Sequence, residues 1–156
     1  MNSIVKGVNF PSYIFASLVA GYVMLGVDLM LDGFLGLFGT YRGYIELIKI
    51  WGLFRGMEDW IMAAGHTINS VVLALVFVHP QVYRLVPPKN GLFKGLTFGA
   101  VWHLIVLFVL VITAYGGAKF MKEFLNIPLK DHISLFLLHL IWGGTLGLLY
   151  VPKASQ

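Results

Sequence analysis

The stretch LFKGLTFGAVWHLIVLFVLVITAY, residues 92–115, decides the fold of this protein. Its one charged residue is Lys94, close to its start. An α-helix rises 1.5 Å per residue, so about 20 mostly apolar residues are needed to cross the hydrocarbon core of a bilayer, which is ~30 Å thick. The stretch meets this requirement and predicts a transmembrane helix.

Three further stretches meet the same requirement, and they run from about Pro11 to Gly39, Trp60 to Val78, and His132 to Tyr150. Hydrophobic residues make up 58% of the 156 positions and charged residues only 12%, whereas soluble domains are about 25% charged. The sequence therefore predicts an all-α membrane protein. We expect one integral membrane domain over residues 1–156, with four transmembrane helices packed in a bundle.

The segment between the first two spans mixes polar and apolar residues and is not a continuous apolar run. Its sequence is YRGYIELIKIWGLFRGMED (residues 41–59). Arg42, Glu46 and Lys49 recur at helical spacing, and apolar or aromatic residues fill the positions between them. This pattern is typical of a short amphipathic helix that lies in the membrane interface, with Trp51 and Trp60 as anchors.

Composition also excludes several classes of function. The chain has no cysteine, which rules out disulfides, thiolate catalysis and thiolate metal sites. It contains no phosphate-binding glycine loop, no HExxH motif and no nucleophile elbow. The net charge of +4 is spread over helix ends and forms no dense basic face, so we expect no nucleic-acid partner. The sequence does not indicate an enzyme that acts on its own. We expect the lipid bilayer to be the main partner of this chain.

Four spans place both termini on the same side of the membrane. Basic residues are divided five to six between the two sides, which gives only a slight preference by the positive-inside rule. We predict cytoplasmic termini and residence in a prokaryotic inner membrane.

Polar residues inside the spans are the candidate functional residues, because a polar group in hydrocarbon is costly without a partner or a role. Counting along each helix places Asp32, His66 and His139 at a similar depth, roughly 9–12 Å from one face. Asp28 and Asn69 follow at roughly 14–16 Å and His103 at roughly 18 Å. We therefore predict a buried polar cluster of Asp28, Asp32, His66, Asn69 and His139.

Three interpretations of this cluster remain open. In the preferred one it is a structural hydrogen-bonded knot between helices and binds no cofactor. In the second, two histidines on facing helices bind haem b, with His66 and His139 as the first pair and His103 with His139 as the second. In the third, Asp32, His66 and His139 form a metal or proton-relay site.

Small residues mark where helices can approach closely. Gly95 and Gly99 are four residues apart, as are Gly143 and Gly147. Such small-xxx-small patterns favour either a compact bundle or a face on which other membrane subunits dock.

The last helix, HLIWGGTLGLLY from His139 to Tyr150, fits the pattern HLxxGxxLGxxY. Together with KGLTFG at Lys94–Gly99 and His66 early in the second span, it resembles an uncharacterised family of small prokaryotic four-helix membrane proteins. The resemblance covers residues 60–150 or so. It implies a four-helix membrane fold and a linked pair of His66 and His139, and it implies no activity.

Our functional hypothesis from the sequence is a non-catalytic subunit of a larger membrane complex, of the respiratory or electron-transfer kind, such as a terminal oxidase. One alternative is a haem b- or metal-binding membrane subunit that uses His66 and His139. Another is a small transporter or proton pathway built on Asp28 and Asp32.

Overall fold

The computed structural model describes residues 7–37, 40–52, 54–87 and 89–153, and these residues form helices without any strand. The helices are α1 (Phe10–Asp28), α2 (Thr40–Trp51), α3 (Glu58–Val78), α4 (Pro80–Leu85), α5 (Gly91–Tyr115), α6 (Lys119–Leu125) and α7 (Leu129–Leu149). Helix α1 continues into a π-helical turn, Leu29–Phe34.

Four of these helices are long and apolar enough to cross a membrane: α1 with its π turn, α3, α5 and α7. This confirms the predicted all-helical class and indicates an integral membrane protein. The first apolar helix ends at Phe34, before the predicted end at Gly39, which lies outside the described residues. The fourth begins at Leu129, because Pro128 precedes it with extended backbone and fixes the start.

Helix α7 lies at the centre of the arrangement. It packs against both α5 and α1, and α3 packs mainly against α1. Half of the apolar window of α7 is buried, against 28% in each of the other three long helices. Helices α3 and α5 have no extensive interface in the described chain; they meet where the Phe77 and Phe98 rings lie 5.1 Å apart.

The contact between α5 and α7 depends on four glycines. A Cβ atom on Gly95 would overlap the carbonyl oxygen of Gly143, and a Cβ on Gly99 would overlap that of His139. In the opposite direction, a Cβ on Gly147 would lie 2.7 Å from the Gly95 Cα. The two backbones therefore touch, as small-residue patterns allow in membrane helices.

This contact settles which of the two roles these glycines have. Gly95, Gly99, Gly143 and Gly147 are all buried between α5 and α7 of the same chain. They form the compact-bundle interface, and the alternative expectation, that other subunits dock on them, is wrong for these four positions because their surface is already covered.

The two ends of the described chain meet at one end of the molecule. The Asn9 side-chain amide donates to the Val151 carbonyl oxygen at 2.9 Å, and the Val151 amide donates to Ser12 Oγ at 2.8 Å. The start of α1 is thus hydrogen-bonded to the end of α7. Both lie at the same end of the molecule, as expected for a chain with an even number of membrane spans.

Lys94, the lone charge of the stretch that decides the fold, is buried at this same end. Its Nζ donates to the carbonyl oxygens of Tyr83, at 2.7 Å, and Val86, and it lies 5.0 Å from the centre of the Tyr83 ring. These carbonyls are at the C-terminal end of α4, where a cation is favoured by the helix dipole. The charge is therefore satisfied without a carboxylate.

Replacing Gly95 by Ala should destabilise the protein by about 1–3 kcal/mol, because the added methyl group forces two touching backbones apart. Gly65→Ala is the matched control: a Cβ there meets nothing within 4 Å, so we expect no loss and a gain of up to about 1 kcal/mol from helix propensity. Reversible unfolding in mixed micelles measures both. Equal effects of the two changes would contradict the glycine interface.

Candidate functional site

A cavity of about 300 Å³ opens among the long helices, on the part of α3 away from Phe77. All four long helices and α2 contribute to its wall. The lining residues are Gly21 and Met24 of α1; Tyr44, Leu47, Ile48 and Trp51 of α2; Ile61, Met62, Gly65, His66, Asn69, Ser70 and Leu73 of α3; Trp102 of α5; and His139 and Trp142 of α7. The predicted first haem pair, His66 and His139, thus faces one cavity.

Helix α2 covers this cavity. Its polar residues Arg42, Glu46 and Lys49 are exposed, while Tyr44 and Ile48 face inward. The amphipathic helix predicted between the first two spans is therefore present. Its apolar side lines the cavity, as the apolar face of an amphipathic helix packs against the interior of a protein.

Asp32 holds the start of α2. Its side chain is fully buried in the π turn and accepts three hydrogen bonds from Arg42: Oδ1 from Nε at 3.1 Å and from Nη2 at 3.0 Å, and Oδ2 from the backbone amide at 2.9 Å. A carboxylate that accepts an N-terminal amide also caps the helix. Asp32 is thus committed to an ion pair and a helix cap.

This commitment bears on the predicted metal site of Asp32, His66 and His139, which stays a prediction. Both Asp32 oxygens are directed to Arg42, and the described ranges hold no group of three His, Cys, Asp or Glu side chains arranged to bind a metal ion. Asp32, His66 and His139 are similar in depth along their helices, but depth does not fix the direction in which a side chain points. The same ion pair does not suit Asp32 as a mobile proton carrier.

Asp28 lies one helical turn before Asp32 and is also buried. On α2, burial and then the charge of Asp28 raise the pKa of Tyr44 to about 12. Tyr41 is the next contact of α2: its hydroxyl donates to Asp59 Oδ1 at 2.5 Å, and burial followed by this bond raises its pKa to about 12. Acidic residues therefore fasten α2 to both α1 and α3.

His139 makes two close contacts through one nitrogen. Its Nδ1 lies 2.8 Å from the Leu135 carbonyl oxygen and 3.2 Å from Nδ1 of His103. Two metal–imidazole bonds of about 2 Å each would separate the nitrogens by about 4 Å. The two rings therefore meet through Nδ1 at hydrogen-bonding distance, one helical turn from the close helix contact at Gly99. The second predicted haem pair, His103 with His139, stays a prediction.

A hydrogen-bonded link between three helices is centred on Ser70, which is not a member of the predicted cluster. Ser70 Oγ donates to the Ser17 carbonyl oxygen at 2.6 Å and accepts from Trp142 Nε1 at 2.7 Å, which links α1, α3 and α7. The Tyr13 hydroxyl adds a bond to the Val71 carbonyl oxygen at 2.7 Å. Of the predicted cluster, His66, Asn69 and His139 line the same cavity, whereas Asp32 is bonded to Arg42 and is not among the lining residues.

Sequence reasoning missed Ser17, Tyr13, Arg42 and the polar role of Trp142. A buried indole needs an acceptor, and this requirement is the signal that could have indicated a polar role for Trp142. Arg42 follows Asp32 by ten residues at the start of the amphipathic helix, which was the one usable signal for the ion pair.

Comparison with protein-family models, curated proteins and solved structures finds no match to this chain. The resemblance of the final helix to the small four-helix family therefore stays a prediction.

Arg42→Met should lower the free energy of local unfolding of α2 by about 1–2 kcal/mol, because the buried Asp32 carboxylate loses its hydrogen bonds to the guanidinium. The effect is limited because the Arg42 side chain is largely exposed. Hydrogen exchange of the α2 amides measures this loosening, relative to α7. Lys49→Met is the control: its bond to Glu46 is exposed on both sides, and we expect a change within about 0.5 kcal/mol. An equal effect of the two changes would contradict the anchoring role of Asp32.

Alkaline pH should detach α2. A tyrosine whose pKa is about 12 in the folded state and about 10 in the unfolded state stabilises the fold fully below pH 10, and this stability is lost as the pH rises to about 12. Tyrosinate absorbance and Trp51 emission follow the transition. Tyr44→Phe should remove part of the pH dependence, whereas Tyr115→Phe, at an exposed position, should leave it unchanged.

Proposed function

We propose that the protein is a non-catalytic integral membrane subunit of a larger membrane complex, of the respiratory or electron-transfer kind, in a prokaryotic inner membrane with its termini in the cytoplasm. The observation that carries this proposal is the outer side of α5. One side of α5 is buried on α7, and the other presents a continuous apolar surface.

The exposed residues of that surface are Val101, Leu104, Ile105, Phe108, Val109 and Ile112. They occupy successive turns of one helix, as residues that meet lipid or a neighbouring transmembrane helix do. Because the glycines of α5 are used inside the chain, a partner subunit would pack on these larger side chains. That contact would depend on shape and not on close backbone approach.

The narrower, respiratory part of the proposal is supported by the histidines. Three imidazoles, His66, His103 and His139, lie in the cavity wall or in contact with it, well inside the apolar helices. Titratable groups at such positions commonly mark proton or electron pathways.

A second candidate function is haem b or metal binding by His66 and His139. It is favoured by one observation, that both line the same cavity from different helices. The size of the cavity counts against a tetrapyrrole in this conformation, since an apolar cavity of about 150 Å³ already accommodates only a single benzene ring.

Purification in mild detergent, followed by native mass spectrometry and a visible spectrum, tests both candidates. We expect the chain to co-purify with other transmembrane subunits and to release them when Phe108 is replaced by Arg on the outer side of α5. Ile68→Arg, a matched charge at an exposed position of α3 that does not line the cavity, should not release them.

A functional monomer without partners would contradict the subunit proposal. A Soret band or stoichiometric metal that disappears in His66→Ala would replace it with the second candidate.

A further inference from the structure

The cavity has the size of a small ring system. At about 300 Å³ it has twice the volume of an apolar cavity that accepts benzene, and it lies at the lower end of the usual range for ligand sites. Its wall contains three tryptophans, Trp51, Trp102 and Trp142, together with Tyr44. Flat aromatic walls favour a flat occupant of one or two fused rings.

The hydrogen bonds of His139 fix what its free nitrogen can do. The Leu135 carbonyl oxygen can only accept, so the hydrogen between it and His139 belongs to Nδ1 of the imidazole. The His103 Nδ1 then acts as a second acceptor of the same hydrogen. In this tautomer Nε2 of His139 carries a lone pair, and it has no hydrogen-bond partner in the described parts of the chain. His139 therefore offers the cavity an acceptor.

Helix α3 offers donors to the same cavity. His66 and Asn69 are three residues apart, which places them on one helix face, and both line the cavity. Within the described ranges neither side chain has a hydrogen-bond partner. The Asn69 amide can donate, and the His66 imidazole can donate or accept. The cavity thus has an acceptor on α7 and donors on α3.

We propose that this cavity binds the ring of a lipid-soluble phenol or hydroquinone. A phenolic hydroxyl would donate to His139 Nε2, and a ring oxygen would accept from Asn69 or His66. A ligand with only carbonyl oxygens would leave His139 Nε2 without a donor. Among the described residues no Lys or Arg lines the cavity, so a phosphate head group would find no counter-charge from them. The proposal is independent of membership in a larger complex.

The test uses the full chain with Trp60→Phe, so that the three remaining tryptophans all line the cavity. Their emission is followed during titration with a long-chain 4-alkylphenol, with its methyl ether and with the corresponding alkylbenzene. We expect saturable binding of the phenol, about tenfold weaker binding of the ether because one hydrogen bond is lost, and still weaker binding of the alkylbenzene. The matching alkylhydroquinone should bind at least as well as the phenol.

Two variants separate loss of the site from loss of the fold. Gly65→Leu adds a side chain where a Cβ meets nothing within 4 Å, so it should block the cavity and abolish binding without lowering the melting temperature. Asn69→Leu should weaken the phenol severalfold. His79→Leu, whose side chain does not line the cavity, should leave the affinity unchanged.

Equal affinities for the phenol, the ether and the alkylbenzene would overturn the proposal, since the cavity would then recognise only apolar surface. Binding that persists in Gly65→Leu would place the ligand elsewhere, in the micelle or on the outer surface, and would overturn it as well. Absence of saturable binding in the Trp60→Phe protein would do the same.

Discussion

The backbone contact between α5 and α7 determines the positions of the other helices. Without side chains at Gly95, Gly99, Gly143 and Gly147, the two helices approach until their backbones touch. Helix α1 packs against α7 as well, and α3 packs mainly against α1. In the described ranges α3 and α5 share no extensive interface, and the cavity lies beside α3 with Trp102 as its lining residue from α5. A closer α3–α5 contact would fill that space with packed side chains, as it is filled around Phe77 and Phe98.

The second constraint is the cover that this space requires. An amphipathic helix on a membrane surface is ordinarily held by its apolar face alone. Here α2 has two polar attachments as well, Arg42 to Asp32 and Tyr41 to Asp59. A buried carboxylate is costly, and its ion pair with an exposed guanidinium is a weak source of net stability. The ion pair has a positional role, because it fixes where α2 begins. It thereby determines which residues of α2 face the cavity.

The sequence contained the information for the helices and only part of that for the site. Each apolar run is local, so the four long helices and α2 could be read directly from residues 92–115 and their counterparts. The depth of Asp32, His66 and His139 could be counted as well. Their directions could not be counted, because a π turn at Leu29–Phe34 changes the rotational phase of α1 and turns Asp32 towards Arg42. The contact of His103 with His139 likewise follows from the glycine crossing, which no count along a single helix reveals.

The packing order has a consequence for how the molecule can be divided. Helices α1 and α3 form one helical hairpin, with α2 as its connection, and α5 and α7 form another, with α6. The two hairpins meet mainly through α1 and α7, and α4 is their link in the chain. Each hairpin has its own long interface and could insert into a bilayer as a unit. The cavity lies on the seam, with His66 on one half and His139 on the other. Two separately produced hairpins would therefore each carry half of the lining residues. Formation of the complete cavity would then show that the two hairpins had associated.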